Sequence, residues 1–253
     1  MLQIVALLAR TEAWHGSINA AGGTVDRRVL FRASSVGYVG SLLNSQLGMA
    51  ARIAALRRSS PAASPGVSTL IGAEFPIMAV EAMFGALTSF TLIGPLGIPW
   101  WLPIVFLAVV GGLSTGLRHL AQRTTRQLWS GLLVLRSARG GGRLIAFVMI
   151  AVTAQVCRNW ALLHGVGVHA TFFDAIAVLI AMSTLSQLPV GPSVGAAAAV
   201  LILGRHGVAA VAAAGILSTA TGITGGLTFA AWAFADRLWV HRRRGPHGLP
   251  GSP

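Results

Sequence analysis

Charge is what this sequence has least of. Only 10% of its 253 residues are Asp, Glu, Lys or Arg, where soluble domains carry about 25%, so a water-soluble fold of this length could not cover its surface. Acids are the scarcer sign, at six: Glu12, Asp26, Glu74, Glu81, Asp174 and Asp236. Lysine is missing altogether, and all 19 basic residues are arginine. In an Ala/Gly-rich chain that usage is attributed to genomic base composition. The single cysteine, Cys157, excludes an intrachain disulfide and a CxxC metal site, and its place in an apolar run makes it a small buried hydrophobe. The 31 glycines follow no Gly-X-Y period, and 54% hydrophobic content is too high for a disordered segment. A mean hydropathy of +0.72 makes lipid the expected solvent.

A net charge of +13 raises nucleic acid as a partner, but the arginines fall between apolar stretches and not along one amphipathic surface. That is the pattern of cytoplasmic loops in a membrane protein, so no nucleic acid is expected. About 20 apolar residues span a bilayer as a helix. Runs of this kind extend from Leu70 to Ile93, Ile98 to Leu117, Leu144 to Leu163, Phe172 to Val190 and Val208 to Phe234, with a less uniform one from Val29 to Leu56. None shows the alternation of a barrel strand. The leading run MLQIVALLA reaches Arg10 after nine residues, too few to cross unless the helix continues through Ala13, Trp14 and Ile18. It lacks the basic flank of a signal peptide, and the first helix is expected to be truncated.

Arginine placement sets the expected orientation. Arg57 and Arg58, six arginines between Arg118 and Arg143, and Arg242 to Arg244 mark cytoplasmic segments, whereas the turns at residues 94–99 and 164–171 have none. The long 118–143 connection also carries Leu120, Leu128, Trp129, Leu132, Leu133 and Leu135, enough for an amphipathic helix in the headgroup layer or an ordinary solvated loop. Arg27, Arg28 and Arg32 precede the Val29 to Leu56 stretch and Arg57 follows it, so the stretch dips in and returns. Parity makes Phe172 to Leu203 re-entrant from the other side. The fold class expected is all-α: a polytopic helical membrane protein with two broken or re-entrant segments, one transmembrane domain over residues 1–240, and a disordered basic cytoplasmic tail over 241–253.

The two dipping segments share a pattern. Leu47-Gly48 can be set over Val194-Gly195, each a polar, Gly-containing break followed by an Ala-rich half-helix. Broken helices entering from opposite faces point to a transport site near the midplane. Pro189, Gly191, Pro192 and Gly195 cannot hold a regular helix, and the freed backbone must be buried in protein or face water. A kinked packing helix is the structural alternative. Glu74 and Glu81 stand seven residues apart on one expected helix face, about 10 Å along the axis, with Glu81 the deeper. Buried ionisable groups in spanning helices mark function. Arg158, beside Asn159, is the expected counter-charge, although near a helix end it could snorkel. Asp174 opens a helix as a cap. Of the GxxxG spacings, Gly112 to Gly116 and Gly222 to Gly226 are read as helix packing. The seven histidines have no ligand spacing, and no metal, cofactor motif or catalytic set is found, so no enzyme is expected.

Two patches carry a resemblance. NSQLGMAARIAALRR, Asn44 to Arg58, is similar to "lnnllPgrlGelvRalllrr", and LPVGPSVGAAAAVLILGRHGV, Leu188 to Val208, to "lPlpgGlGvrEaalalll..lGv". In order and hydropathy the chain from about Val5 resembles the membrane region of bacterial lysylphosphatidylglycerol synthases and the related flippase-like integral-membrane family. Gly48, Arg52 and Gly195 match motif positions, and Glu74 falls at the Glu of "lErllD". Met49, Ala198 and Met78 stand where the family carries carboxylates, so chemistry drawn from those carboxylates is not implied here. The resemblance implies a multi-pass protein of the bacterial cytoplasmic (inner) membrane that moves a membrane phospholipid or lipid-linked substrate between leaflets. It does not extend to the family's soluble aminoacyl-transferase domain. The candidate headgroup contacts are Asn44, Gly48, Arg52, Glu74, Glu81, Arg158, Pro189, Gly191 and Gly195. The alternative is a noncatalytic partner or anchor for a lipid-modifying enzyme or glycosyltransferase.

Overall fold

Side-chain caps mark the starts of three of the helices. In the computed structural model, which describes residues 1–41, 45–59, 65–123, 132, 134–135, 137–185, 194–204 and 207–243, every regular element is helical. They are α1 (Leu2–Ala20), α2 (Arg27–Ser41), α3 (Ser45–Ser59), α4 (Val67–Gly72), α5 (Phe75–Thr88) with a 3-10 turn at Ser89–Leu92, α6 (Ile93–Leu96), α7 (Trp101–Arg123), α8 (Ala138–Gly165), α9 (Phe172–Leu185), α10 (Val194–Leu203) and α11 (Val208–Arg243). The Asp26 carboxylate accepts from the backbone N–H of Arg28 at 2.7 Å and Val29 at 3.3 Å, opening α2. Ser137 accepts from Gly140 N–H at the start of α8. At α9, Asp174 accepts from Thr171 N–H while Thr171 Oγ1 accepts from Asp174 N–H, a reciprocal cap as the sequence indicates.

Helix α1 does run on past Arg10, because that guanidinium is paired with Glu81. The Leu70 to Ile93 run, however, is not one rod. The chain breaks at Ala73-Glu74, ahead of Pro76, and leaves its last turn as 3-10. Proline supplies no N–H and its ring crowds the preceding turn, which favours a break at that position. Val67–Leu96, Ala138–Gly165 and Val208–Trp239 are nonetheless long and apolar enough to cross a membrane. Only 17–39% of their most apolar windows is buried within the protein. An apolar exterior of that extent marks a membrane protein, since water would leave it unpaired with any solvent of its own kind. Helix α7 shows the same character, packing on α5 while Ile104, Phe106, Val109 and Leu113 face outward.

Side-chain pairings give the directions. Gln3 meets Arg158 at one end of α1, and Ala6 and Ala9 cluster with Ala151 and Ala154, so α1 runs antiparallel to α8. Arg32 pairs with Asp236 at 2.5 Å, and Tyr38 donates to the Gly222 carbonyl at 2.8 Å, so α2 runs antiparallel to α11. The start of α2, the end of α3, the start of α8 and the end of α11 thus gather at one arginine-rich end. Helices α2 and α3 form a hairpin entering from that end, and α9 and α10 form one entering from the other. Trp14, Ile18, Leu30, Leu56, Leu70, Ile77 and Val148 are fully buried between them. Helix α11 continues to Arg243, through the first three residues of the expected tail. Residues 244–253 and most of the 118–143 connection's middle lie outside the described residues, but Leu132 and Val134 are buried against protein.

Candidate polar site between the helices

Polar side chains line one face of α1, where Gln3, Arg10 and Trp14 are spaced by seven and four residues and so stack on the same stripe. The innermost group, toward the arginine-rich end, joins three helices. The Arg52 guanidinium of α3 forms an ion pair with Glu74 and lies 3.9 Å above the Trp14 ring. Both charged side chains are buried, at 13% and 4% exposure, and the Trp14 indole donates to the Leu70 carbonyl. Two turns outward, Arg10 pairs with the half-exposed Glu81. Glu74 is the more buried of the two glutamates within the protein. The break at Ala73-Glu74 is the reason, because it turns the Glu74 carboxylate into the core before α5 sets its own face.

Arg158 differs from its expected role. It meets neither glutamate, and it does not snorkel. From about 10 Å inside the end of α8, its Nη1 donates to Gln3 Oε1 and its Nη2 to Ser218 Oγ at 3.4 Å. Its buried Nε has no hydrogen-bond partner. Ser218 donates to Asn159 Oδ1 at 2.8 Å, and Gln3 donates to the Tyr38 hydroxyl at 3.3 Å. Every other member of this network is neutral. All six acids are used elsewhere: Glu12 with Arg27, Asp26 and Asp174 at helix starts, Glu74 with Arg52, Glu81 with Arg10, and Asp236 with Arg32. Arg158 is therefore a guanidinium, within a helix long and apolar enough to cross a membrane, that no side-chain carboxylate neutralises.

The two hairpins converge on α11 beside it. Gly48 lies so close to α2 that a Cβ there would sit 2.6 Å from Ser41 Cβ and 2.8 Å from the Gly37 carbonyl oxygen. Gly195 similarly rests on α11, where a Cβ would meet Thr219 Oγ1 at 2.6 Å and the Gly215 oxygen at 2.8 Å. The two matched glycines therefore play alike roles with different partners. The spacing Gly222 to Gly226 is not a seat for a helix backbone: it receives the Tyr38 ring, in contact with Gly226, and a Cβ at Gly222 would lie 3.5 Å from Arg158 Nη1. Gly112 and Gly116 face open space and pack on nothing among the described residues. Asn44, Pro189 and Gly191 lie outside the described residues. Of the remaining candidates, Arg52 and Glu74 are joined directly, while Glu81, Arg158, Gly48 and Gly195 belong to separate contacts. Gln3, Trp14, Tyr38 and Ser218 were not foreseen. Their signal was available as polar or amphipathic groups inside otherwise apolar helices.

Two separate spaces adjoin the hairpins among the described residues. A groove of about 1380 Å³ lies between α2, α3 and the arginine-rich end of α11, walled by Val36, Val39, Ala51, Ala54, Ala230 and Phe234 and rimmed by Arg28, Arg32, Arg58 and Arg237. A cavity of about 10 Å³ lies between α8, α9, α10 and α11, touching Asn159, Met182 and Ser218, with room for about one water. Among the described residues no three His, Cys, Asp or Glu side chains converge on a metal position. The chain matches no family model, no curated protein and no solved structure.

Proposed function

We propose that this chain is a multi-pass protein of the bacterial cytoplasmic membrane, with its C-terminus cytoplasmic, that moves an anionic lipid or lipid-linked headgroup between leaflets. The resemblance to the lysylphosphatidylglycerol synthase membrane region implies that class of activity. The observation that carries the reading is Arg158, an un-neutralised guanidinium placed where two hairpins from opposite ends press on the glycine-rich middle of α11. Holding a charge at membrane depth costs roughly 2.5–3.5 kcal/mol on insertion scales. A passing phosphate offsets that cost, and guanidinium geometry suits its oxygens. Gln3, Tyr38 and Ser218 are neutral and exchangeable partners that a headgroup oxygen can displace.

Leaflet exchange of a fluorescent phospholipid in proteoliposomes, read by dithionite quenching, tests this. The wild-type chain is expected to abolish leaflet asymmetry. Loss of a charged hydrogen bond of roughly 1.5–3 kcal/mol in Arg158→Leu should slow exchange about tenfold or more, with partial recovery in Arg158→Lys. Exchange no faster than in protein-free liposomes would overturn the proposal.

A further inference from the structure

The groove beside the α2–α3 hairpin has a charge pattern that the transport reading does not use. Four arginines rim it. Arg32 is already paired with Asp236, and Asp26, the one acid on the rim, is engaged with the first backbone N–H groups of α2. Arg28, Arg58 and Arg237 are exposed and have no carboxylate partner among the described residues. They come from three different helices and stand at one end of the groove. Further in, the walls turn apolar: Val36 is 48% exposed, Val39 40% and Phe234 64%, all without a protein neighbour to cover them. Val36 and Val39 lie eight and eleven residues beyond Arg28 on α2, about 12 and 16 Å along the axis.

We infer that this groove is a docking site for one anionic phospholipid, its phosphate held by Arg28, Arg58 and Arg237 and an acyl chain laid along Val36, Val39 and Phe234. Charge selects the occupant. Three free guanidiniums at the end of an apolar trough match an amphiphile that is anionic at one end only. A soluble anion would leave the trough unfilled, and an uncharged lipid would leave the rim unneutralised. The inference rests on membrane placement and not on transport, because a resident lipid could occupy the groove in a protein that moves nothing.

The full chain, delipidated in detergent, is titrated with phosphatidylglycerol and with phosphatidylcholine of identical acyl chains, and bound lipid is read by native mass spectrometry. Phosphatidylglycerol is expected to bind at least tenfold more tightly. Each rim arginine contributes about a fivefold factor, taking roughly 1 kcal/mol per arginine near anionic headgroups, so Arg28→Gln/Arg58→Gln/Arg237→Gln should erase the preference. Arg57→Gln, on the same helix but away from the groove, should leave it intact, separating the site from general attraction to a basic protein end. Ala54→Trp should weaken both lipids by filling the trough. If the triple variant loses helicity, Arg237→Gln alone at its exposed position still reads the fivefold change. Equal binding of the two lipids to the wild-type chain, a preference that survives loss of the rim arginines, or displacement of the lipid by millimolar inorganic phosphate would each overturn the inference.

Discussion

Arg52, Glu74 and Trp14 form the most tightly enclosed charged contact in the protein, and their energetics follow from what each would become alone. A buried guanidinium stripped of its carboxylate is an uncompensated charge, so Glu74→Ala should destabilise the protein by about 3–5 kcal/mol. The double variant Arg52→Met/Glu74→Leu removes both charges and should recover most of that loss, since apolar replacements of buried pairs are often neutral. Thermal unfolding in detergent, followed by circular dichroism, checks the cycle, and a double-variant loss equal to the sum of the losses in Arg52→Met and Glu74→Leu alone would mean the two side chains are not coupled. Glu81→Ala should behave more mildly, because the exposed Arg10 can turn to solvent or headgroups. Glu74 and Glu81 could be singled out in the sequence, since charges in apolar runs stand out, and Arg52 through the resemblance. Their pairing could not be. Pro76 signalled a break, but the direction a carboxylate takes beyond a break depends on neighbours from α1 and α3, which local spacing does not encode. Arg158 was misassigned for the same reason: the nearest glutamates in hydropathy order already had partners on other helices.

At the scale of elements, glycine placement decides how deep each hairpin sits. Gly37 and Gly48 let α2 and α3 touch backbone to backbone, and a side chain at Gly48 has only the Ser41 Cβ and the Gly37 carbonyl to move. Gly48→Leu should therefore force the hairpin open at a cost of about 1–3 kcal/mol. Gly112→Leu, whose Cβ meets nothing within 4 Å, is the matched control and should change stability little. Limited proteolysis of the two variants separates them, and equal susceptibility would count against the close α2–α3 contact. The pairing of short helices was legible from the polar and Gly/Pro-containing stretches, but Leu47-Gly48 and Val194-Gly195, which the sequence pattern places in the breaks, are helical in α3 and α10, because there each glycine seats a close helix contact. The partners in those contacts were not legible. A GxxxG spacing records that a close approach is possible, without saying whether a backbone, a tyrosine ring or lipid arrives there. Tyr38 at Gly226 and the open face at Gly112 are the two outcomes of one signal.

Across the whole molecule, the asymmetry of arginine was the most readable feature. Hydropathy located the helices, and charge between them assigned ends, so the gathering of Arg27, Arg58, Arg139 and Arg237 at one end follows from a rule that needs no tertiary information. What the rule leaves out is the interior, where six acids are shared among many cations and packing alone chooses which cation goes without. That choice falls on Arg158, whose network of Gln3, Tyr38 and Ser218 ties it to three other helices.

A fixed positive charge part-way across a bilayer sits inside the electric field of an energised membrane. Moving an elementary charge through the full drop is worth about 2.3 kcal/mol per 100 mV, so a monoanion that reaches Arg158 from either side works with or against a fraction of that energy. On the proposed function, the rate of leaflet exchange of an anionic lipid should change with an imposed potassium diffusion potential and reverse its bias when the potential is reversed, whereas exchange of a lipid without net charge should be insensitive to voltage. A buried guanidinium without a carboxylate makes the protein, in this sense, an electrical element as well as a mechanical one.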